Sequence, residues 1–353
     1  MLRPQSNEPP LTLNLEIDPM LTFFALSIAL WAAFTSPPAA EASERVGAFE
    51  IHHVQDELDR EIRYFLSDAT GDEPQPIVLY INGSGASSAF FRTPNGVAAG
   101  GQNLMLRALD GKARVLVVDK PGTELFGEVD QPGTAVGASE TFLQEHTLDR
   151  WTEANRAALD QVIDRDDIDA TRVMVLGHSE GSDVAALVAA VEPRVTHVAL
   201  LAGGGPTQLF DFVTFAARSQ PGDKVGDAAA RVEAVYDDWA KVLQKPNSID
   251  DFWRGHPYRR WSSFMATSPL EEVQKSDAKI FAAHGTHDQS TPIESFDLLV
   301  AGLRARGRAV ESHRVEGASH AFAQPGETGP DGMVQMMRTA GEWFLAGEAG
   351  VGG

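Results

Sequence analysis

The chain contains no cysteine, which removes disulfides, thiolate metal sites and a cysteine nucleophile from consideration. It is short of positive charge. Its 29 Lys and Arg stand against 50 Asp and Glu, a net charge of −21, so its surface repels nucleic acid and anionic membrane and does nothing to recruit polyanions. It lacks an apolar run of the roughly 20 residues that a stable membrane span needs, and it shows no internal repeat or low-complexity tract. What remains is an ordinary globular composition, 43% hydrophobic and 22% charged over 353 residues, enough for one large domain with an insertion or for two smaller ones.

The longest apolar stretch near the amino terminus, Leu21 to Phe34, is followed by small residues and by Ala40-Glu41-Ala42. That is the layout of a secretory signal with an A-x-A cleavage site. Residues 1–42 are therefore read as a leader outside the fold, with Met20 as the expected initiator, and the protein as exported, periplasmic or secreted. Residues 43–353 carry the domain.

The chain is organised around Arg172 to Val191. Val173-Met174-Val175-Leu176 has the length and β-branching of a strand buried on both faces. A sharp turn, Gly177-His178-Ser179-Glu180-Gly181, precedes an apolar helix. A serine at the tip of a strand-to-helix turn needs flanking glycines so that neighbouring backbone can approach, and Gly177 and Gly181 supply them. On these residues the chain resembles the α/β-hydrolase superfamily.

The rest of the pattern agrees. Strands are expected at 49–54, 61–66, 77–81, 115–119, 173–176, 195–201, 279–283 and 310–315, the first two as an antiparallel edge pair. The later ones alternate with helices at 103–109, 147–165, from Thr291 to about Gly307 and at 333–345. This predicts an α/β fold with a doubly wound, mostly parallel eight-stranded sheet. Between 203 and 276 the alternation stops, and the segment holds ten large aromatics, three of the six tryptophans among them. It is read as a helical lid inserted after strand 6, its aromatics forming both its own small core and an apolar pocket.

A serine hydroxyl needs a base within reach and a third group to hold that base in one tautomer. Ser179, Asp288 and His320 follow in the order Ser, acid, His, each just after an expected strand. The loops His284-Gly285-Thr286-His287-Asp288 and Glu316-Gly317-Ala318-Ser319-His320 resemble those of the dienelactone-hydrolase-like and prolyl-peptidase-like branches. The resemblance implies acyl transfer, with Ser179 as nucleophile, His320 as general base and Asp288 as its orienting acid. Half of the oxyanion hole is expected from the strand-3 turn, which the superfamily often writes His-Gly-Gly-Gly and which here reads Asn82-Gly83-Ser84-Gly85. The donors assigned are the backbone N–H groups of Ser84 and Glu180. The Glu180 side chain is read as a surface salt bridge, with recognition of an amino group as the alternative, and His178 as packing locally. His284, His287, Asp288 and His320 form an alternative metal cluster, but the triad accounts for Asp288 and His320 without one, so no metal and no cofactor are expected. The expected substrate is a small-molecule ester, or a short peptide if the chain is a peptidase or amidase. An acyl-CoA thioesterase ranks third, and a non-catalytic binding protein on this scaffold is the reading from another class.

Overall fold

Short β-branched runs bounded by glycine, proline and aspartate become strands, and amphipathic stretches become helices that cover both faces of the sheet they make. The computed structural model describes residues 44–93, 96–128 and 131–346; the leader expected over 1–42 lies outside them. The first half runs β1 (Arg45–Val46), β2 (Phe49–Gln55), β3 (Glu61–Ser67), β4 (Gln75–Ile81), the hairpin β5 (Phe90–Thr93) and β6 (Gly96–Ala99), α1 (Gly101–Leu109), β7 (Arg114–Val118), α2 (Glu140–Glu145), α3 (Leu148–Ile163), β8 (Ile168–His178), α4 (Glu180–Val191) and β9 (His197–Leu201). An insertion follows, with α5 (Gln208–Ala217), α6 (Asp227–Gln244), β10 (Phe252–Trp253), β11 (His256–Pro257), α7 (Tyr258–Phe264) and α8 (Pro269–Val273). The sheet resumes with β12 (Lys279–Gly285), α9 (Ile293–Ala305) and β13 (Val310–Val315), and α10 (Asp331–Leu345) ends it.

The main sheet has the order β1-β2-β3-β7-β4-β8-β9-β12-β13. β1, β2, β3 and β7 pair antiparallel in turn, and from β7 to β13 every pairing is parallel. The sheet thus has nine strands where eight were expected; the ninth is the two-residue β1, too short to carry a period-2 signal. Because side chains alternate across a strand, β4 feeds two cores. Ile77, Leu79 and Ile81 pack with Trp151 and Leu159 of α3 and Val184 of α4. Val78 and Tyr80 pack with Met105 of α1 and Met337 and Phe344 of α10. The parallel ladders bring the turns after β4, β7, β8, β9 and β12 to one edge of the sheet.

In the insertion Phe212, Trp253 and Trp261 form a triangle with ring centroids 5.0 to 5.5 Å apart, around buried Val242 and Met265. Two bonds fasten it to the loop before α2: Ala135 N–H donates to Gly255 O at 2.8 Å, and His256 Nε2 lies 2.9 Å from Gly133 O. Among the described residues no helix is long and apolar enough to cross a membrane.

Candidate active site

Ser179 sits between β8 and α4 with φ 58 and ψ −128, a left-handed conformation that costs a non-glycine residue of the order of 1–3 kcal/mol. Its neighbours hold it there. Ser179 N–H donates to Leu201 O at 2.9 Å, and Ser182 Oγ bridges Gly177 O and Leu201 O at 2.9 and 3.0 Å. The two elbow glycines are sterically required: a Cβ on Gly177 would lie 2.0 Å from Gly181 O, and one on Gly181 would lie 2.2 Å from Ile81 O.

Asp288 and His320 come together from the turns after β12 and β13. His320 Nδ1 lies 2.7 Å from Asp288 Oδ2. The carboxylate also accepts from Ser290 N–H, Thr291 N–H and Thr291 Oγ1 at 2.7 to 3.0 Å, and His284 Nε2 lies 3.2 Å away. Burial opposes ionisation of Asp288, but the bonds from His284 and His320 outweigh it and hold the group well below the usual carboxylate range. The run Thr291-Pro292-Ile293-Glu294 reads in sequence as a helix start with threonine as cap; the structure corrects this. α9 has no side-chain cap, and the Thr291 hydroxyl is drawn instead to Asp288 and Ala202 O, because a buried carboxylate competes for donors better than an exposed helix end. The acid and histidine loops abut so closely that a Cβ on Gly285 would meet Ala318 O at 2.3 Å.

His178 joins this pair to the elbow. Its Nε2 lies 3.0 Å from His320 O and the two rings are 4.8 Å apart; burial, then the neighbouring His320, lower its pKa to about 4. Ser179 Oγ has no hydrogen-bond partner among the described residues, and it makes no hydrogen bond to His320. Bonds of this kind often close only with substrate in place.

The β4 turn lies over the serine, since a Cβ on Gly83 would come within 3.3 Å of Ser179 Cβ and 3.8 Å of its Oγ. Lys120, at the end of β7, donates to Gly83 O at 2.6 Å and Gly85 O at 3.0 Å. In a trans peptide the C=O and the following N–H point opposite ways, so anchoring Gly83 O to Lys120 turns Ser84 N–H away from Lys120.

The third bond of Lys120 Nζ goes to Glu180 Oε1 at 3.2 Å, so the ammonium's three donors meet three acceptors. Here the structure overturns the surface reading of Glu180. Its side chain is only 2% exposed and is held by Lys120, by His146 Nε2 at 3.0 Å, and by Arg260, whose Nη2 and Nε lie 2.6 and 3.1 Å from Oε2. Burial alone would raise the Glu180 pKa; the charges of Lys120 and Arg260 hold it well below the ordinary value. Arg260 comes from α7 in the insertion and stacks over Trp261 and Phe264 at 4.0 and 4.3 Å. Sequence reasoning missed Lys120, His146 and Arg260. Lys120 carried one usable sign, a charged residue at the end of a fully apolar strand.

A cavity of about 280 Å³ opens from Ser179 under the insertion and is lined by Ser84, Glu180, Asp183, Asp211, Phe212, Phe215, His256 and Trp261 among others. Phe212 and Trp261 thus serve both the core of the insertion and the cavity wall, as the sequence suggested for its aromatics. Asp183 and Asp211 were not foreseen. Burial pushes Asp183 up to about 7 and, with the nearby Asp183 charge, Asp211 up to about 8. Among the described residues no group of three or more His, Asp or Glu is arranged to hold a metal ion.

Residues 78–331 match the model of the alpha/beta hydrolase family. No curated protein matches the chain in sequence. Solved structures resemble it at low identity. An acylaminoacyl peptidase from Pyrococcus horikoshii is 14% identical with a TM-score of 0.56, over 85% of this chain and 42% of that one. A puromycin-hydrolyzing peptidase from Mycobacterium tuberculosis is 14% identical with a TM-score of 0.55, over 84% of this chain and 39% of that one. Est1E from Butyrivibrio proteoclasticus is 14% identical with a TM-score of 0.51, over 84% of this chain and 98% of that one. The chain thus spans about two fifths of the length of the two peptidases but nearly all of Est1E. With its fold, its strand order and the family model in agreement, the chain belongs to the alpha/beta hydrolase family.

Proposed function

We propose that the protein is a serine hydrolase that cleaves carboxylic esters through an acyl-enzyme on Ser179. Ser179 Oγ attacks the acyl carbonyl while His320 Nε2 takes its proton, and Asp288 holds His320 Nδ1–H and steadies the imidazolium. The oxyanion is received by the N–H groups of Glu180 and Ser84, each worth roughly 3 kcal/mol. His320 then returns the proton to the leaving alkoxide, and water, activated by the same imidazole, releases the acid and frees Ser179. The observation that carries this reading is the strained elbow serine, whose neighbour His178 bonds the His320 backbone carbonyl at 3.0 Å, beside an imidazole whose Nδ1 meets the buried Asp288 carboxylate at 2.7 Å.

Cleavage of amides is the second reading, supported by the peptidases among the similar folds. Labelling with a fluorophosphonate probe tests both. Wild type should be labelled and Ser179→Ala should not; label on the variant removes Ser179 as nucleophile. A panel of p-nitrophenyl esters and aminoacyl anilides then separates the two, and anilides turned over well above esters would move the assignment to peptidase.

A further inference from the structure

The cavity beside Ser179 is richer in acceptors than ester hydrolysis requires. Asp183 follows the serine by four residues, about one turn or 6 Å along α4, and is 5% exposed. One of its oxygens accepts from Gln208 Nε2 at 2.7 Å, and Gly204 N–H also bonds it. Asp211, half-buried on α5, is bonded by Ser295 Oγ. Neither carboxylate has an ion-pair partner among the described residues, although both line the cavity. Of the guanidiniums that share the lining, Arg260 acts on Asp183 by its charge alone, and its hydrogen bonds go elsewhere. Arg260 is bound to Glu180 and to Gln208 Oε1, and Arg254 lies over the rings of Phe212 and Trp253.

An independent feature points the same way. His256, 4% exposed, lines the same cavity, and its Nδ1 has no hydrogen-bond partner. Its other nitrogen lies 2.9 Å from Gly133 O, a carbonyl that can only accept. Nε2 must therefore carry the proton, which leaves Nδ1 a buried bare lone pair. His256 thus offers the cavity a buried acceptor that no protein donor meets.

We propose that this cavity receives the acyl part of an amine-bearing substrate, its protonated amine seated between Asp183 and Asp211 and a flat apolar side group against Phe212, Phe215 and Trp261. The one-turn separation from Ser179 puts the cation within a few bonds of the carbonyl under attack, so the substrate class is an aminoacyl ester or amide with an aromatic or bulky side chain and a free amine. Glu180, the acid that the sequence offers for this task, is already saturated by Lys120, His146 and Arg260. The assignment rests on the serine-hydrolase reading only for the direction of the carbonyl; the cation site itself does not depend on turnover.

The test uses ligands that differ in one charge. Calorimetric titration of Ser179→Ala with phenylalanine amide and with 3-phenylpropanamide should show the amine-bearing ligand at least about tenfold tighter, some 1.4 kcal/mol. Equal affinity, or no binding of either, overturns the proposal without touching the assignment of Ser179, which the fluorophosphonate probe decides separately. With wild type, phenylalanine methyl ester should exceed both its N-acetyl form and methyl 3-phenylpropanoate in kcat/KM by about the same factor. In Asp211→Asn and in Asp183→Asn/Asp211→Asn that preference should shrink toward unity. A preference that survives both variants also overturns it, and the ligand comparison needs neither variant to fold.

Discussion

Four carboxyl groups lie at one end of the sheet, and they fall into two pairs with opposite electrostatics. Glu180 and Asp183 are separated by less than one turn of α4, yet Glu180 is met by Lys120, His146 and Arg260, while Asp183 has an amide side chain and one backbone N–H. Asp288 and Asp211 repeat the contrast: the first collects donors from Ser290, Thr291 and His320, the second a single hydroxyl. Burial acts against charge in all four, so depth does not decide which is ionised. The charges and donors gathered around each do. The saturated pair belongs to the framework of the site, and the undersupplied pair is where a ligand can add something.

Each side of that contrast can be broken. The largest effect is expected from Asp288→Asn, which leaves His320 without an acceptor for its Nδ1 proton and should lower kcat on a p-nitrophenyl ester by as much as about 10⁴-fold; a loss under tenfold would remove Asp288 from its role. Next comes Glu180→Ala. It strands the buried Lys120 and Arg260 without their counter-charge and should destabilise the fold by about 3–5 kcal/mol in urea unfolding, so a change below 1 kcal/mol would mean that water reaches the cluster. Lys120→Met releases the carbonyls of Gly83 and Gly85, and it should cut kcat about 10²-fold while moving KM little. A raised KM with intact kcat would instead make Lys120 a packing residue.

The smallest effect is a difference in pH dependence. Glu180 and Asp288 have lowered folded-state pKa values, so the stability they contribute is present above the ordinary carboxylate value near 4 and is lost as pH falls below it. Asp183 and Asp211, raised to about 7 and about 8, work in the opposite sense. Their folded forms hold protons that the unfolded chain has released, so stability declines as pH rises from about 4 to 8. Urea unfolding at pH 5, 6.5 and 8 should show that decline in wild type and a flatter profile in Asp183→Asn/Asp211→Asn. Parallel profiles would mean that the two groups titrate normally.

Where backbone chemistry is local, the sequence was a sufficient guide. The strand before Gly177, the Ser179 turn and the order of Asp288 and His320 could be read because each is a short contiguous pattern at the end of an apolar run. The long helix α3 was legible from its periodicity. What could not be read was convergence. Arg260 lies 80 residues from Glu180, and only the docking of the insertion brings them together. His146 follows a helix too short to announce itself. Asp183 did leave a trace, as an acid just ahead of the apolar run that makes up the rest of α4. Thr291 shows the reverse failure: a complete cap signal in the sequence was outbid by a buried carboxylate a few residues away.

On the role proposed for Ser179, its left-handed backbone sets a ceiling on how robust this protein can be while remaining active. A glycine at that position would relax the turn at little steric cost, and Ser179→Gly should unfold about 1 kcal/mol later than wild type once the looser unfolded chain is counted against the released strain. Screens that reward heat resistance alone would therefore drift toward a sturdier and chemically silent protein, so any stabilisation of this chain has to be selected with turnover in view.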